Sequence, residues 1–231
     1  MRRTGEVVYL VDDDASVREA ITGLLESVQI DVLNFESAES FLRHERSDSA
    51  GCLLLDLQLP AMSGLELQEK LHHSSNPPII FITGRGDISS SVRAMKAGAI
   101  EFLTKPIDSD ALIAAVRTAL SRDRDDRVRQ AELAELQRRY SRLSPREQQV
   151  LPLISAGFMN KQSAAMLGIT VVTLQNHRGQ IMRKMAASSL AELVRMCGAL
   201  GIADTTRESA MHKANVQPAD GSSADRREGD E

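Results

Sequence analysis

Five short apolar runs alternate with amphipathic stretches over the first 120 residues of this 231-residue chain. The stretches between and after the runs repeat apolar residues at helical spacing, as segment 17–28 does. Nearly continuous apolar strands separated by helices indicate a parallel sheet covered on both faces, so we predict a doubly wound (βα)5 domain of the α/β class. The five predicted strands are Val7–Val11, Val32–Phe35, Leu53–Leu55, Ile79–Ile82 and Ile100–Leu103.

The rest of the chain predicts a helical linker and an all-α domain. Residues 121–140 contain no Gly or Pro and are rich in Arg, Asp, Glu, Ala and Leu, which predicts a helix. Ser144-Pro145-Arg146-Glu147 has the residues of a capping box and begins the first of four short helices, with a turn at Gly168 between the second and third. We predict a (βα)5 domain at 5–120, a linker at 121–140, a four-helix helix-turn-helix domain at 141–202 and a disordered tail at 203–231.

Charge is distributed unevenly between these segments. The whole chain has a net charge of −4, which by itself argues against a nucleic-acid partner. Residues 1–120, however, carry 11 basic and 18 acidic residues, whereas residues 141–202 carry 7 basic and 2 acidic ones. Net charges of −7 and +5 predict two domains with different partners. The basic second domain is expected to bind an anionic partner.

No apolar run approaches the roughly 18 residues that a membrane span requires, and the N-terminus lacks the pattern of a signal peptide. We therefore expect a cytoplasmic protein with no membrane partner.

Polar residues follow four of the predicted strands. Since the carboxyl ends of parallel strands meet at one edge of a sheet, we expect these residues to share a site there. Clustered carboxylates require a cation or a proton, and oxygen ligands without Cys or His favour Mg²⁺, with Mn²⁺ as the alternative. A carboxylate beside Mg²⁺, a hydroxyl and an ammonium suits phosphoryl transfer. The residues are Asp12, Asp13, Asp56, Thr83 and Lys105.

The third helix of the second domain, predicted at 171–185, has two distinct faces. One is mostly a core face, with Leu174, Arg178, Ile181 and Met185. The other suits a DNA major groove and carries Val172, Gln175, Asn176 and Gly179. Gln and Asn bind adenine in a bidentate manner, Val contacts the thymine methyl, and Gly allows close approach of the backbone. Phosphate contacts are predicted for Lys161, Arg178, Arg183 and Lys184.

Four motifs of the first domain resemble the receiver domain of two-component response regulators: Val11-Asp12-Asp13-Asp14, the segment from Leu55 to Gly64, Ile82-Thr83-Gly84 and Thr104-Lys105-Pro106. The resemblance implies that Asp56 accepts a phosphoryl group from a histidine kinase. It implies that Mg²⁺ is bound by Asp12, Asp13, Asp56 and the backbone carbonyl of Gln58. It also implies that Thr83 and Lys105 contact the phosphoryl group, that Phe102 is a switching aromatic residue, and that the Lys105–Pro106 bond is cis.

Residues 141–202 are similar to the LuxR-type helix-turn-helix domain of the NarL and FixJ regulators. The similarity lies in Leu143–Glu147, Asn160-Lys161 and the segment 173–185, which adds Thr173 and His177 to the predicted DNA contacts. With the loop 83–87, Thr-Gly-Arg-Gly-Asp, it points to the FixJ subgroup. The resemblance implies a transcription regulator, not a dedicated enzyme, that forms a homodimer on phosphorylation, binds double-stranded DNA and contacts RNA polymerase.

Two other functions use similar residues. Phosphatases of the haloacid dehalogenase type also combine Asp, Mg²⁺, Thr and Lys, but they place an acid/base Asp two residues after the nucleophile, where this chain has Gln58. A four-helix module can also bind RNA or act only in dimerisation. Residues 141–202 contain Phe158 and no Trp or Tyr, which favours duplex DNA over single-stranded RNA.

Overall fold

The computed structural model describes residues 5–46, 49–71, 76–84 and 88–202. The chain divides into two compact units, Met1–Gln130 and Ala131–Glu231. The division falls inside one long helix, so the predicted boundaries at 120 and 140 stay predictions. Two predicted features lie outside the described residues, namely positions 85–87 of the 83–87 loop and the tail 203–231.

The first unit is a five-stranded parallel sheet in the order β2-β1-β3-β4-β5, with helices between the strands. The predicted doubly wound fold is confirmed. The strands are β1 Val7–Val11, β2 Asp31–Phe35, β3 Gly51–Asp56, β4 Ile79–Thr83 and β5 Glu101–Thr104. The helices are α1 Ala15–Ser27, α2 Ala38–Leu42, α3 Gly64–Lys70, α4 Ile88–Lys96 and α5 Ser109–Ser141.

Each face of the sheet has its own core, because alternate residues of a strand point to opposite faces. One core contains Tyr9, Leu55 and Phe81 and includes side chains of α2 and α3. The other contains Leu10, Leu54 and side chains of α1 and α5. Both faces are therefore covered, which explains why β1, β3 and β4 are buried along their whole length.

The strand order determines where a site can form. β1 and β3 are neighbours near the centre of the sheet. Strand β2 lies on the outer side of β1, whereas β4 and β5 lie on the outer side of β3, so the strand order reverses direction between β1 and β3. Such a reversal leaves a crevice at the carboxyl ends of the strands, where ligands of open α/β sheets bind. Asp12 directly follows β1, and Asp56 is the last residue of β3.

Helix α5 continues through the predicted linker without interruption. A buried carboxylate fastens it to the sheet, because Asp123 Oδ2 accepts a hydrogen bond from the backbone N–H of Gly51 at 2.9 Å. The same oxygen accepts one from Arg127 Nε at 2.7 Å. This contact joins α5 to the first residue of β3, at the end of the strand opposite Asp56.

As far as residue 202, the second unit contains the end of α5 and four further helices, which confirms the all-α class of this part: α6 Pro145–Ser155, α7 Asn160–Leu167, α8 Val171–Met185 and α9 Leu190–Ala199. Ser144 and Glu147 form the predicted capping box at the start of α6. Gly168, with a φ of +65°, ends α7 in the left-handed conformation that allows the turn to α8. Leu151, Leu174 and Ile181 are buried in the core.

Within the described part of the chain, no helix combines the length and the apolar character needed to cross a bilayer.

Candidate functional site

Three carboxylates meet at the carboxyl edge of the sheet, as the sequence predicts. Oxygens of Asp12, Asp13 and Asp56 all lie within 4.8 Å of one another. Asp12 and Asp56 are buried, whereas Asp13 is exposed. Such a cluster carries strong mutual repulsion, which only a cation or a proton relieves.

Lys105, just after β5, partly provides that relief. Its ammonium lies 2.7 Å from Asp12 Oδ2 and 2.7 Å from Asp56 Oδ2. Burial acts to lower the pKa of Lys105, but the hydrogen bonds to Asp12 and Asp56 outweigh it and raise the pKa above its usual value. Burial also raises the pKa of Asp12 above its usual value, which the bond to Lys105 offsets only in part. The Lys105–Pro106 peptide bond is cis.

The backbone around Asp56 leaves little room for movement. Its Oδ1 accepts a hydrogen bond from the backbone N–H of Gln58 at 2.9 Å, and Gln58 itself is exposed. On the other side, Gly64 at the start of α3 approaches so closely that a Cβ there would lie 2.4 Å from the Asp56 carbonyl oxygen. Glycine at position 64 is therefore required by the position of the Asp56 backbone.

Thr83 and Phe102 lie on the two strands beyond Asp56. Thr83 is fully buried at the end of β4. Phe102 is half-buried in β5, with its ring centroid 6.4 Å from that of Phe81. The fold thus brings Asp12, Asp13, Asp56 and Lys105 into direct proximity, with Thr83 and Phe102 on the neighbouring strands.

Two further contacts lie beside the cluster, and the one made by Arg18 was not predicted. Asp14 caps α1 by accepting a hydrogen bond from Ser16 N–H at 2.8 Å, which lowers the pKa of its carboxyl, so it is not a fourth member of the cluster. Arg18, one turn into α1, donates to the carbonyl oxygens of Asp12 at 2.7 Å and Asp13 at 3.0 Å. Its spacing from the aspartates is the one sequence signal for this contact, since a side chain at the second turn of a helix points back toward its N-terminus.

The donor set suits a small divalent cation. The cluster offers carboxylate oxygens, with neither Cys nor His in it. Mg²⁺ prefers such hard oxygen ligands, keeps several waters and is bound by one or two carboxylates together with phosphate oxygens. The exposed Asp13 leaves one side of the cluster open to solvent, as this coordination requires.

Helix α8 presents the predicted polar face to solvent. Its exposed side includes Val172, which is 67% exposed, together with Thr173, Gln175, Asn176 and Gly179. Leu174, Ile181 and Met185 are fully buried on the opposite side. An exposed stripe of Gln, Asn and Val backed by an apolar core can enter a major groove.

The basic residues near this face differ in how far they are exposed for contact with phosphates. Lys161 and Arg183 are exposed, whereas His177 and Arg178 are half-buried. Arg178 donates to Asn160 Oδ1 at 3.3 Å, and Arg183 is hydrogen-bonded to Gln180.

Lys184 differs most from expectation, because its ammonium lies 2.6 Å from the buried carboxylate of Glu147. Burial by itself would raise the pKa of Glu147, but the hydrogen bonds from Lys184 and the Ser144 N–H hold it below its usual value. Lys184 therefore has a structural partner that its sequence position does not reveal.

Each of the two parts of the chain matches a known protein family. Residues 8–117 match the family described as response regulator receiver domain. Residues 141–197 match the family described as bacterial regulatory proteins, luxR family.

Similarity to individual proteins extends over nearly the whole chain. Nodulation protein W of Bradyrhizobium diazoefficiens is 46% identical over 215 residues, which cover 93% of this chain and 92% of that protein. Transcriptional regulatory protein FixJ of Azorhizobium caulinodans is 41% identical over 197 residues, covering 85% and 93%. The solved structure of response regulator StyR matches with a TM-score of 0.75 and 47% identity, over 84% of this chain and 98% of that one.

Proposed function

Because this chain belongs to the FixJ-like two-component response regulators, which join a receiver domain to a LuxR-type DNA-binding domain, we propose that phosphorylation of Asp56 controls its binding to DNA. The proposal includes a histidine kinase as phosphoryl donor, formation of a homodimer on phosphorylation, and contact with RNA polymerase in the cytoplasm. The observation that carries the proposal is the buried carboxylate of Asp56. The Lys105 ammonium lies 2.7 Å from an oxygen of Asp56 and 2.7 Å from one of Asp12, and Asp13 belongs to the same cluster.

In the proposed reaction, a carboxylate oxygen of Asp56 attacks the phosphorus of a phosphohistidine. The phosphorus–nitrogen bond breaks with its electron pair on the imidazole, which takes up a proton from solvent and leaves as the neutral ring, and an acyl phosphate forms on Asp56. Asp12, Asp13, Asp56 and the Gln58 carbonyl would hold the divalent cation, which supplies charge neutralisation to the carboxylates and phosphoryl oxygens when bound.

Lys105 and Thr83 act on the phosphoryl group in this proposal. Lys105 already lies against Asp56, so its ammonium is available to a phosphoryl oxygen once Asp56 is modified. The Thr83 hydroxyl binds a second oxygen from the end of β4, and Phe102 moves inward to fill the space that Thr83 leaves. That movement would change the surface of α4 and β5, where Met95, Lys96 and Glu101 are exposed.

The test compares Asp56→Asn with Asp14→Asn. Asp14 is an exposed carboxylate that directly follows Asp13 but caps α1, and Asn caps a helix as well as Asp does, so this variant is a matched control. Acetyl phosphate with MgCl₂ is expected to stimulate binding of the wild type and of Asp14→Asn to DNA fragments selected from a random library. Asp56→Asn is expected to show no stimulation. Undiminished stimulation of Asp56→Asn would contradict the proposal.

For the DNA-binding domain, we propose that Gln175 and Asn176 read bases, with Val172, Thr173 and Gly179 at the same surface. Lys161, His177, Arg178 and Arg183 would contact phosphates. Lys184 stays a predicted phosphate contact, although its pairing with Glu147 makes Lys161 the better test.

Two substitutions separate base reading from phosphate contact. Gln175→Ala is expected to lose about 1–3 kcal/mol of discrimination at one or two base positions. Lys161→Ala is expected to weaken binding to all sequences alike and to lower the salt dependence by about one counterion. Equal effects of both variants on every sequence, or binding to RNA in place of duplex DNA, would contradict this assignment.

A further inference from the structure

Arg18 connects helix α1 to the backbone that carries two of the three clustered carboxylates. One of its terminal nitrogens, Nη1, lies 2.7 Å from the Asp12 carbonyl oxygen and 3.0 Å from the Asp13 carbonyl oxygen. The side chain is half-buried and begins four residues after Asp14, the residue that caps α1. The guanidinium therefore joins a rigid helix to two successive peptide groups of the loop after β1.

The two aspartates depend on this contact to different degrees. The Asp12 carboxylate is held directly, since Oδ1 accepts from the Asp14 N–H at 2.9 Å and Oδ2 from Lys105 at 2.7 Å. The Asp13 carboxylate is exposed and makes no hydrogen bond with the part of the chain that the structure describes. The position of the Asp13 side chain is therefore set by its backbone, and Arg18 fixes that backbone at the carbonyl.

We infer that Arg18 is a positioning residue for the divalent cation, holding the Asp12 and Asp13 peptide groups so that their carboxylates face the same ion as Asp56. The inference rests on the proposed function, since it needs a cation at this cluster. Groups that orient metal ligands commonly change metal affinity by about 10- to 100-fold when they are removed.

A purely electrostatic role for Arg18 predicts the opposite sign. A guanidinium this close to the cluster repels a divalent cation, so removal of its charge alone would strengthen Mg²⁺ binding. Removal of a positioning contact, by contrast, would weaken Mg²⁺ binding. Arg18→Lys separates the two effects further, because lysine keeps the charge but its side chain is one bond shorter, so its ammonium does not reach the position from which one arginine nitrogen contacts both carbonyl oxygens.

The experiment is calorimetric titration of MgCl₂ into the full-length, unphosphorylated protein and its Arg18→Met, Arg18→Lys and Arg117→Met variants. Arg117 is an exposed residue of α5, so its variant has the same charge change away from the site. Both Arg18 variants are expected to bind Mg²⁺ about tenfold more weakly than the wild type. Arg117→Met is expected to match the wild type.

A kinetic measurement distinguishes positioning from direct catalysis. When each variant is saturated with Mg²⁺, phosphorylation by acetyl phosphate is expected to return to within about twofold of the wild-type rate, since Arg18 acts through the ion's ligands. Circular dichroism melting without Mg²⁺ checks the fold of each variant. If Arg18→Met does not fold, Arg18→Lys alone decides the question.

Several results would overturn the inference. Tighter Mg²⁺ binding by Arg18→Met with unchanged binding by Arg18→Lys would show that Arg18 acts only through its charge. Wild-type affinity in both variants would show that it does not position the ligands. A wild type that binds no Mg²⁺ would overturn both this inference and the metal-dependent function. A wild type that binds Mg²⁺ but is not phosphorylated on Asp56 would overturn the proposed function alone.

Discussion

Substitution of Gly64 by alanine tests how firmly the fold places the phosphoacceptor. A Cβ at position 64 would lie 2.4 Å from the Asp56 carbonyl oxygen and 3.1 Å from both Leu57 Cα and Phe81 Cε1. Ordinary contact begins at 3.4 Å, so either α3 or the end of β3 must move by about 1 Å. The Asp56 carbonyl oxygen, which is the nearest atom, and Leu57 Cα belong to the backbone, which cannot rotate away as a flexible side chain would.

Two measurable effects follow for Gly64→Ala. Overpacking of this kind lowers the free energy of unfolding by about 1–3 kcal/mol. Because the clash is with the backbone, the loss for the first unit is expected near the upper end of that range. A displacement of about 1 Å of a reacting group can reduce a rate by about 100-fold, so phosphorylation of Asp56 by acetyl phosphate is expected to slow markedly. Hydrogen exchange of the β3 amides measures the stability of this unit separately from the second one.

Gly23→Ala is the matched control. Gly23 lies on the exposed side of α1, and a Cβ added there would have no atom within 4 Å, so alanine is expected to stabilise the unit by about 0.5–1 kcal/mol. The two glycine substitutions thus have opposite predicted signs. Stability of Gly64→Ala within about 0.5 kcal/mol of the wild type, with an unchanged phosphorylation rate, would refute the reasoning.

Two further predictions concern buried carboxylates. Glu147→Gln is expected to destabilise the second unit by about 1–2 kcal/mol at neutral pH, because Lys184 loses its charged partner. Since the pKa of Glu147 lies below its usual 4.5, its contribution is present above that pH and is lost as the pH falls further, so wild-type and variant melting temperatures should converge in acid. Asp123→Asn is expected to speed hydrogen exchange at the Gly51 amide and to cost about 1–2 kcal/mol, because a neutral acceptor binds less strongly. Unchanged protection of that amide would contradict the assigned contact.

Local patterns were sufficient to predict most of the secondary structure. Helix α8 has the predicted bounds, 171–185, because the cap at Thr170 defines its start and Met185, the last residue of its mostly apolar face, defines its end. Strand β5 begins at Glu101, one residue later than predicted. An apolar run shows where a side chain is buried but not which residue forms the first hydrogen bond of the ladder.

Side-chain pairing across long sequence separations could not be predicted in the same way. Asp56 and Lys105 were predicted to meet because both follow parallel strands, whose carboxyl ends share an edge. The pairing of Lys184 with Glu147, 37 residues away, has no such rule behind it. The position of the Lys184 ammonium depends on how α6 packs against α8. A basic residue in a recognition helix is also typical of a phosphate contact, so the sequence alone does not indicate the pairing.

The contact between Asp123 and Gly51 has a consequence for the length of β3. This strand has six residues, and both of its ends have assigned contacts: Gly51 with Asp123, and Asp56 with Lys105. A deletion or insertion within it would displace one end by about 3.3 Å and turn the following side chains to the opposite face of the sheet. Relatives that retain both contacts are therefore expected to tolerate substitutions within β3 but no change in its number of residues.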